Sequence, residues 1–295
     1  MKWQKYLCPT SIEEALATLE EYQGQARVIA GGTDLIPQLK KKERSVQCLV
    51  DISQLEPLKG IQLQGEAIRV GAAVTHQQLA SSDLIREMAT VLAEGAAAVG
   101  SPQIRNMGTV GGNVVNAQPA ADTVIPLLAL GAEAEIVGTQ GSRLAPLESL
   151  FLAPGQSKVD PTTEILLALR FRVLDGNQGS AFTRLAKRRS LSLPILNAAV
   201  VIRLDGDGTV FEEARLALGP VAPTPFRARK AEEALQGKPV DEGVIQPALE
   251  LAAQEAQPRT NPLRGSREYR RQMVKVLLRR ALERAVEAAR AGGHH

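Results

Sequence analysis

Apolar positions recur with two periods along this chain, and they mark out most of its elements. Ile12, Ala15, Leu16, Leu19 and Tyr22 follow Ser11 and Glu14, which stand in capping-box register, and the spacing predicts a helix. "ARVIA" (26–30) predicts a short strand, and Asp34 opens a second helix with Pro37 in its first turn. "QCLVDIS", "GIQLQ" and "AIRVGAAV" predict strands between turn residues. Thr75 stands where a helix cap belongs, just before His76, and residues 83–98 predict an alanine-rich helix. "DTVIPLLALGAEAEIV" predicts a helix closing at Gly131 and running into a strand. "EILLALRFRV" predicts another strand after a Pro/Ser/Thr-rich break at 154–163.

A second shift in composition falls at 175–179, "DGNQG". Beyond it, "NAAVVIRLDGDGTVFEEARLALG" predicts two strands around a hairpin turn, and three helical stretches follow. The last of them places Tyr269, Met273, Leu277, Ala281 and Ala285 on one face, with its arginines on the solvated side. No repeat of solenoid period is present. The pattern divides the chain into an α+β domain over residues 1–175 and a smaller sheet-plus-helices domain over 176–291.

Two stretches interrupt these periods with adjacent glycines: "AGGTDL" (30–35) and "VGSPQIRNMGTVGGNVVNAQPAAD" (99–122). A glycine after a strand often supplies no more than a left-handed turn, which would account for Gly31 and Gly32. The second stretch runs 24 residues with four glycines, two prolines and little periodicity. Loops of that length inside compact domains are commonly functional, and Ile104, Met107, Val110, Val114 and Val115 would anchor this one. Paired glycines let successive N–H groups converge on an anion, and a pyrophosphate is the natural guest. Thr33, Thr109, Asn113 and Asn116 would add hydroxyl and amide groups to the lining. Neither stretch contains the G-x-G-x-x-G dinucleotide fingerprint.

The composition removes several function classes. At 295 residues, with 44% hydrophobic and 23% charged positions, the chain suits about two globular domains of ~150 residues each. A net charge of +3 with 3% aromatic residues argues against a nucleic-acid groove. No apolar run is long enough for a membrane span, and "MKWQKYLCPT" lacks a secretion leader, so a cytoplasmic protein is expected. Cys8 and Cys48 are too few for an iron–sulfur cluster or a four-cysteine zinc site and are expected to be buried thiols. His76 is the one internal histidine, since the other two end the chain, so side-chain acid–base chemistry has few candidates.

"AGGTDLIPQLK", "GSPQIRNMGTVGGNVVNAQPAADTVIPLLALGA", "EILLALRF" and "YRRQMVKVLLRRAL" together resemble the FAD-binding (medium) subunit of molybdenum hydroxylases, the xanthine dehydrogenase, aldehyde oxidase and carbon monoxide dehydrogenase group. The resemblance covers essentially the whole chain. It implies a two-lobed α+β FAD-binding domain of the p-cresol methylhydroxylase type followed by a small C-terminal α+β domain of the carbon monoxide dehydrogenase flavoprotein type. On that likeness Val28, Ile29, Ala30, Gly31, Gly32, Thr33, Asp34 and Leu35 would wrap the diphosphate and ribityl chain. Thr109, Val110, Gly111, Gly112 and Asn113 would close the other side with backbone amides. Asp122 would be an acidic flavin contact, Val99 would pack on the cofactor, and Leu166 or Leu167 would lie against the isoalloxazine. Arg184 stands where some members carry lysine.

The resemblance also implies an oxidoreductase subunit without catalytic side chains of its own. It would hold FAD, take electrons from [2Fe-2S] clusters on a small subunit, and pass them to NAD+, oxygen or another acceptor. The molybdopterin would sit on a large subunit, in a heterotrimer or its dimer. Lys40, Lys41, Lys42 and the stretch with Lys187, Arg188 and Arg189 form the expected docking face. Two other readings are a free-standing flavin reductase on the same scaffold and a scaffold subunit that has lost its flavin. The branch that carries an extra four-cysteine cluster in this subunit is not expected here.

Overall fold

The computed structural model describes residues 3–43, 45–188 and 190–292. The chain begins with a parallel three-stranded sheet of order β1-β3-β2. It is built from β1 (Lys5–Leu7), α1 (Ile12–Glu21), β2 (Ala26–Ile29), α2 (Leu35–Lys40) and β3 (Cys48–Asp51). Ser11 caps α1 by accepting from the Glu14 N–H, while the Glu14 carboxylate reaches back to the N–H and hydroxyl of Thr10.

The second lobe runs through β4 (Ile61–Gln64), β5 (Ala67–Gly71), α3 (His76–Ser81), α4 (Asp83–Met88), α5 (Thr90–Ala97), α6 (Pro102–Met107), α7 (Val110–Val115) and α8 (Val124–Ala129). It continues with β6 (Glu133–Gly138), β7 (Gly141–Pro146), the small hairpin β8 (Phe151–Ala153) and β9 (Gln156–Ser157), and β10 (Glu164–Arg172). Its sheet is antiparallel in the order β4-β5-β10-β6-β7, and the long glycine segment lies in the chain between β5 and β6.

The remaining elements are β11 (Gln178–Leu185), β12 (Leu196–Leu204), β13 (Phe211–Gly219), β14 (Phe226–Arg227), α9 (Arg229–Leu235), α10 (Glu242–Glu255) and α11 (Arg267–Gly292). The four strands form one antiparallel sheet in sequence order. Alternation along β12 explains how this sheet is held. Ala198, Val200, Ile202 and Leu204 enter a core shared with α9, α10 and α11, whereas Ala199 and Val201 enter the core of the preceding lobes. Both faces are therefore covered, and β12 reads as a continuous apolar run. Polar bonds cross the same joint. The Phe182 N–H donates to Glu94 at 2.8 Å, Arg284 pairs with the same carboxylate, and Val91 N–H donates to Ser180 Oγ at 3.3 Å.

Several expectations needed correction. The helix over 83–98 is two helices, broken at Ala89, because the carbonyl of Met88 accepts from Leu174 N–H at 3.0 Å instead of continuing the helix. The segment 99–122 is less irregular than its glycines suggest. Ser101 and Thr109 each cap a short helix, accepting from Ile104 N–H and Gly112 N–H. Cys48 is buried but Cys8 is exposed. On α11 the buried stripe runs through Arg270, Val274, Leu278, Ala281 and Ala285, and Tyr269 faces solvent. Arg270 is no solvated arginine, since it donates to the carbonyls of Arg259 and Pro220. No helix among the described residues is long and apolar enough to cross a membrane.

Gly179 on β11 sits so close to α11 that a Cβ there would lie 1.8 Å from the Ala285 carbonyl oxygen. Backbone cannot yield as a side chain does, so Gly179→Ala should lower stability by at least ~1–3 kcal/mol. Chemical denaturation measures it, and an unchanged midpoint would show that the strand and helix separate freely.

Candidate functional site

The two glycine stretches meet in an open cleft. One wall is the turn between β2 and α2. All of Val28, Ile29, Ala30, Gly31, Gly32, Thr33, Asp34 and Leu35 line it. The facing wall is Gly108, Thr109, Gly111, Gly112 and Asn113, continued along α7 by Val115 and Asn116. The chain before β10 closes a third side, where Val28 N–H donates to the Pro161 carbonyl at 3.1 Å.

The first wall carries the free donors. Among the described residues, no hydrogen bond uses the N–H groups of Gly31, Gly32, Thr33 or Asp34. Gly32 takes a left-handed φ of +67°, a backbone setting in which successive amides can converge on an anion. Burial raises the Asp34 carboxyl above the usual carboxylate range.

The second wall works differently from the sequence expectation. Its amides do not close the site, because they are already engaged. Val110 N–H donates to Val74 O at 2.9 Å and Gly111 N–H to Ala72 O at 2.9 Å. Gly112 N–H is taken by the Thr109 hydroxyl at 3.1 Å and Asn113 N–H by Thr109 O at 3.0 Å. These bonds stitch α7 to the chain leaving β5. What the wall offers a guest is side chains, namely Thr109, Asn113 and Asn116, and a bare surface at Gly112.

The glycines divide by what a Cβ would meet. At Gly31 it would lie 1.9 Å from the Met107 carbonyl oxygen, and at Gly111 it would lie 2.6 Å from the Ala72 Cβ. Gly31 joins the two walls, and Gly111 seats α7 on the chain leaving β5. At Gly112 the one heavy atom within 4 Å is the Thr109 hydroxyl oxygen at 3.0 Å, so a larger residue would fill the cleft itself.

Five residues named from the sequence lie outside the lining. Val110 is fully buried in the core beneath the wall, and Val99 takes part through its carbonyl, which accepts from Arg105 at 3.1 Å. A register shift in β10 between Leu166 and Ala168 sets Leu167 out of sequence, so Leu166 lines the cleft. The Leu167 carbonyl instead accepts from Ala72 N–H at 2.8 Å. Asp122 and Arg184 pair with each other behind the wall at 3.0 Å, and Asn197 Nδ2 donates to the same Asp122 oxygen at 2.8 Å. Burial pushes the Asp122 carboxyl up, while Arg184 and Asn197 oppose that shift. The cluster touches the site indirectly, through Thr123, whose hydroxyl donates to Asn113 Oδ1 at 2.6 Å.

Sequence reading passed over Ala72, Ala73, Ile52, Val159 and Ile165, which supply apolar lining. Nothing in their local pattern marks them, because strand pairing brings them there. His76 also lines the cleft at 3% exposure, and its position just after the helix-capping Thr75 was the available signal. Burial, with Arg105 nearby, pushes its pKa down to about 4.

Comparison with known proteins agrees with this geometry. Residues 1–171 match the family described as FAD binding domain in molybdopterin dehydrogenase, and residues 181–285 match the CO dehydrogenase flavoprotein C-terminal domain. The chain is 34% identical over 285 residues to the carbon monoxide dehydrogenase medium chain of Afipia carboxidovorans, covering 97% of each. It is 33% identical over 267 residues to the xanthine dehydrogenase FAD-binding subunit of Escherichia coli O157:H7, covering 90% of each. The crystal structure of a Cu,Mo-CO dehydrogenase contains a chain that superposes with a TM-score of 0.91 at 33% identity, covering 98% of this chain and 100% of that one.

Valine at the two neighbouring glycines should therefore fail in different ways. Gly112→Val is expected to keep the fold and lose flavin, because its side chain occupies the cleft. Gly111→Val is expected to unfold the wall first, because it meets the Ala72 backbone. Flavin absorbance and thermal melting, taken together, separate the two outcomes. Flavin retained by Gly112→Val would mean that the guest does not approach this surface.

Proposed function

The chain belongs to the FAD-binding medium subunits of the molybdenum hydroxylases, and from that premise we propose that it is the electron-transfer subunit of a three-component enzyme. The observation that carries the proposal is the cleft's division of labour, with unused amides on one wall and a bare glycine face with neutral polar side chains on the other. In this reading Gly31, Gly32, Thr33 and Asp34 present N–H donors to the diphosphate of FAD, where hydrogen bonds to a charged acceptor contribute ~1.5–3 kcal/mol each. Gly112 lets the cofactor lie against the backbone, and Asn113 and Asn116 orient its polar chain. Leu166 and Ile165 supply an apolar surface for the ring system. Asp122, Arg184 and Asn197 act behind the wall, holding Asn113 through Thr123. The flavin domain would end near residue 175, with the C-terminal domain occupying 176–291.

Bound there, FAD would supply the redox chemistry between [2Fe-2S] clusters of a small subunit as electron source and NAD+, oxygen or another acceptor as sink. Substrate oxidation would belong to a molybdopterin large subunit. This chain's own residues bind and orient, and none is needed as an acid or base.

The small subunit would need a face beside the cleft, and exposed apolar residues near α6 support placing it there. Met107, whose carbonyl touches Gly31, exposes 59% of its surface. Leu191 and Leu193 are exposed at 61% and 67%, and Leu191 N–H is bonded to the Gly100 carbonyl at 3.0 Å, beside α6. Exposed Lys187 and Arg188 flank these leucines, while Arg189 lies outside the described residues. Apolar residues ringed by positive charge suit an acidic partner and a buried area on the order of 1,000 Å² or more.

Two outcomes are expected. Extraction of the cofactor should yield FAD, because the cleft has a second wall that a monophosphate would leave unused. FMN, or a colourless protein in repeated preparations, would refute the flavin assignment. Co-expression with neighbouring small and large subunits should give a complex on gel filtration that Lys187→Glu with Arg188→Glu weakens and Met107→Asp disrupts. A complex indifferent to all three changes would place the docking face elsewhere, and failure of any complex to form would refute the subunit role.

A further inference from the structure

His76 has no role in the reading above, yet it sits where the two walls join. Its N–H donates to the Gly108 carbonyl at 3.1 Å. A Cβ built on Gly108 would lie 3.2 Å from His76 Cδ2 and 3.5 Å from the Thr33 hydroxyl oxygen, so the imidazole, the second wall and the first wall converge there. The residue is 3% exposed, and it lines the cleft. Nδ1 is enclosed with no hydrogen-bond partner. Among the described residues Nε2 has no partner either, but it is not enclosed in the same way.

These facts determine the tautomer. A neutral imidazole carries one N–H and one lone pair. Placing the proton on Nδ1 would bury a donor with nothing to receive it, whereas an enclosed lone pair is the lesser loss. The proton therefore belongs on Nε2. An imidazole held neutral by burial then keeps a single donor available at the meeting point of the two walls.

We propose that His76 is a cofactor-binding residue whose Nε2–H donates to an oxygen of the bound flavin dinucleotide where the two glycine walls meet. This rests on the flavin reading and deepens it. A leucine would pack there without the orphan Nδ1, so the ring is kept at a cost, and Nε2, which is not enclosed, is the nitrogen a guest in the cleft can reach. A hydrogen bond to an anionic oxygen in such a place is worth about ten- to a hundred-fold in affinity.

The test uses the full chain stripped of flavin and titrated with FAD, following flavin fluorescence. His76→Leu should raise the Kd by about ten-fold or more. Its flavin-free melting temperature should equal or exceed that of the parent, because the orphan nitrogen is gone. His76→Gln, whose amide nitrogen overlaps Nε2, should recover most of the affinity. Affinity unchanged in His76→Leu, or lost in step with melting temperature, would overturn the proposal while leaving flavin binding by the parent intact. If His76→Leu fails to fold, 15N spectra of the histidine-labelled parent decide the matter. The His76 Nε2–H resonance should shift on adding FAD, and a resonance that stays in place overturns the proposal. Failure of the parent itself to take up FAD would instead remove the flavin reading on which the proposal stands.

Discussion

Two backbone contacts hold this site together. Gly31 lies against the Met107 carbonyl, and Gly111 lies against Ala72, each at a distance that excludes any side chain. The turn after β2 belongs to one lobe, while α6 and α7 belong to the other. Their direct contact turns two separate loops into facing walls. The amide bonds from Val110 and Gly111 to the chain leaving β5 add rigidity at the same seam. A site whose walls are joined backbone to backbone reaches its binding geometry before the guest arrives, which lowers the ordering cost on binding.

That joint also assigns different work to residues of one type. Gly31 is needed where the lobes meet, and Gly111 where α7 packs on the chain leaving β5. Gly32 is needed for its left-handed turn, in the stretch whose amides remain unused. Gly112 is needed for the open surface it leaves. Neighbouring glycines thus serve packing, conformation and binding, and a sequence pattern alone presents them as equivalent.

The C-terminal domain supports the site from behind. Its sheet is covered on both faces, and the second of these faces is the flavin lobe itself. Asp122, at the end of the long glycine segment, is gripped by Arg184 from β11 and Asn197 from β12. Thr123 carries the connection on to Asn113 in the cleft wall. A carboxylate with this burial is tolerable because a guanidinium and an amide compensate it. The arrangement makes the position of Asn113 depend on the second domain.

Much of this was present in local pattern. Helical spacing after Ser11, the strands "ARVIA" and "EILLALRF", the DGDG hairpin and the three last helices are all set by residues within a few positions of one another. The two glycine segments were legible as one site because paired glycines interrupt the apolar periods in both, and the family followed from their order. What pairing and packing decide was not legible. Whether an amide is free or already used depends on Ala72 and Val74, which lie more than thirty residues before the wall they engage. The break at Ala89 depends on Leu174, the choice of Leu166 over Leu167 depends on a register shift against β6, and the burial of Arg270 depends on two distant carbonyls. The chain by itself determined which segments could adopt the conformations the site needs, since propensity and periodicity are local properties. Which of their donors remain available to a ligand was decided by tertiary structure, because a hydrogen bond is consumed by whatever the fold brings within reach.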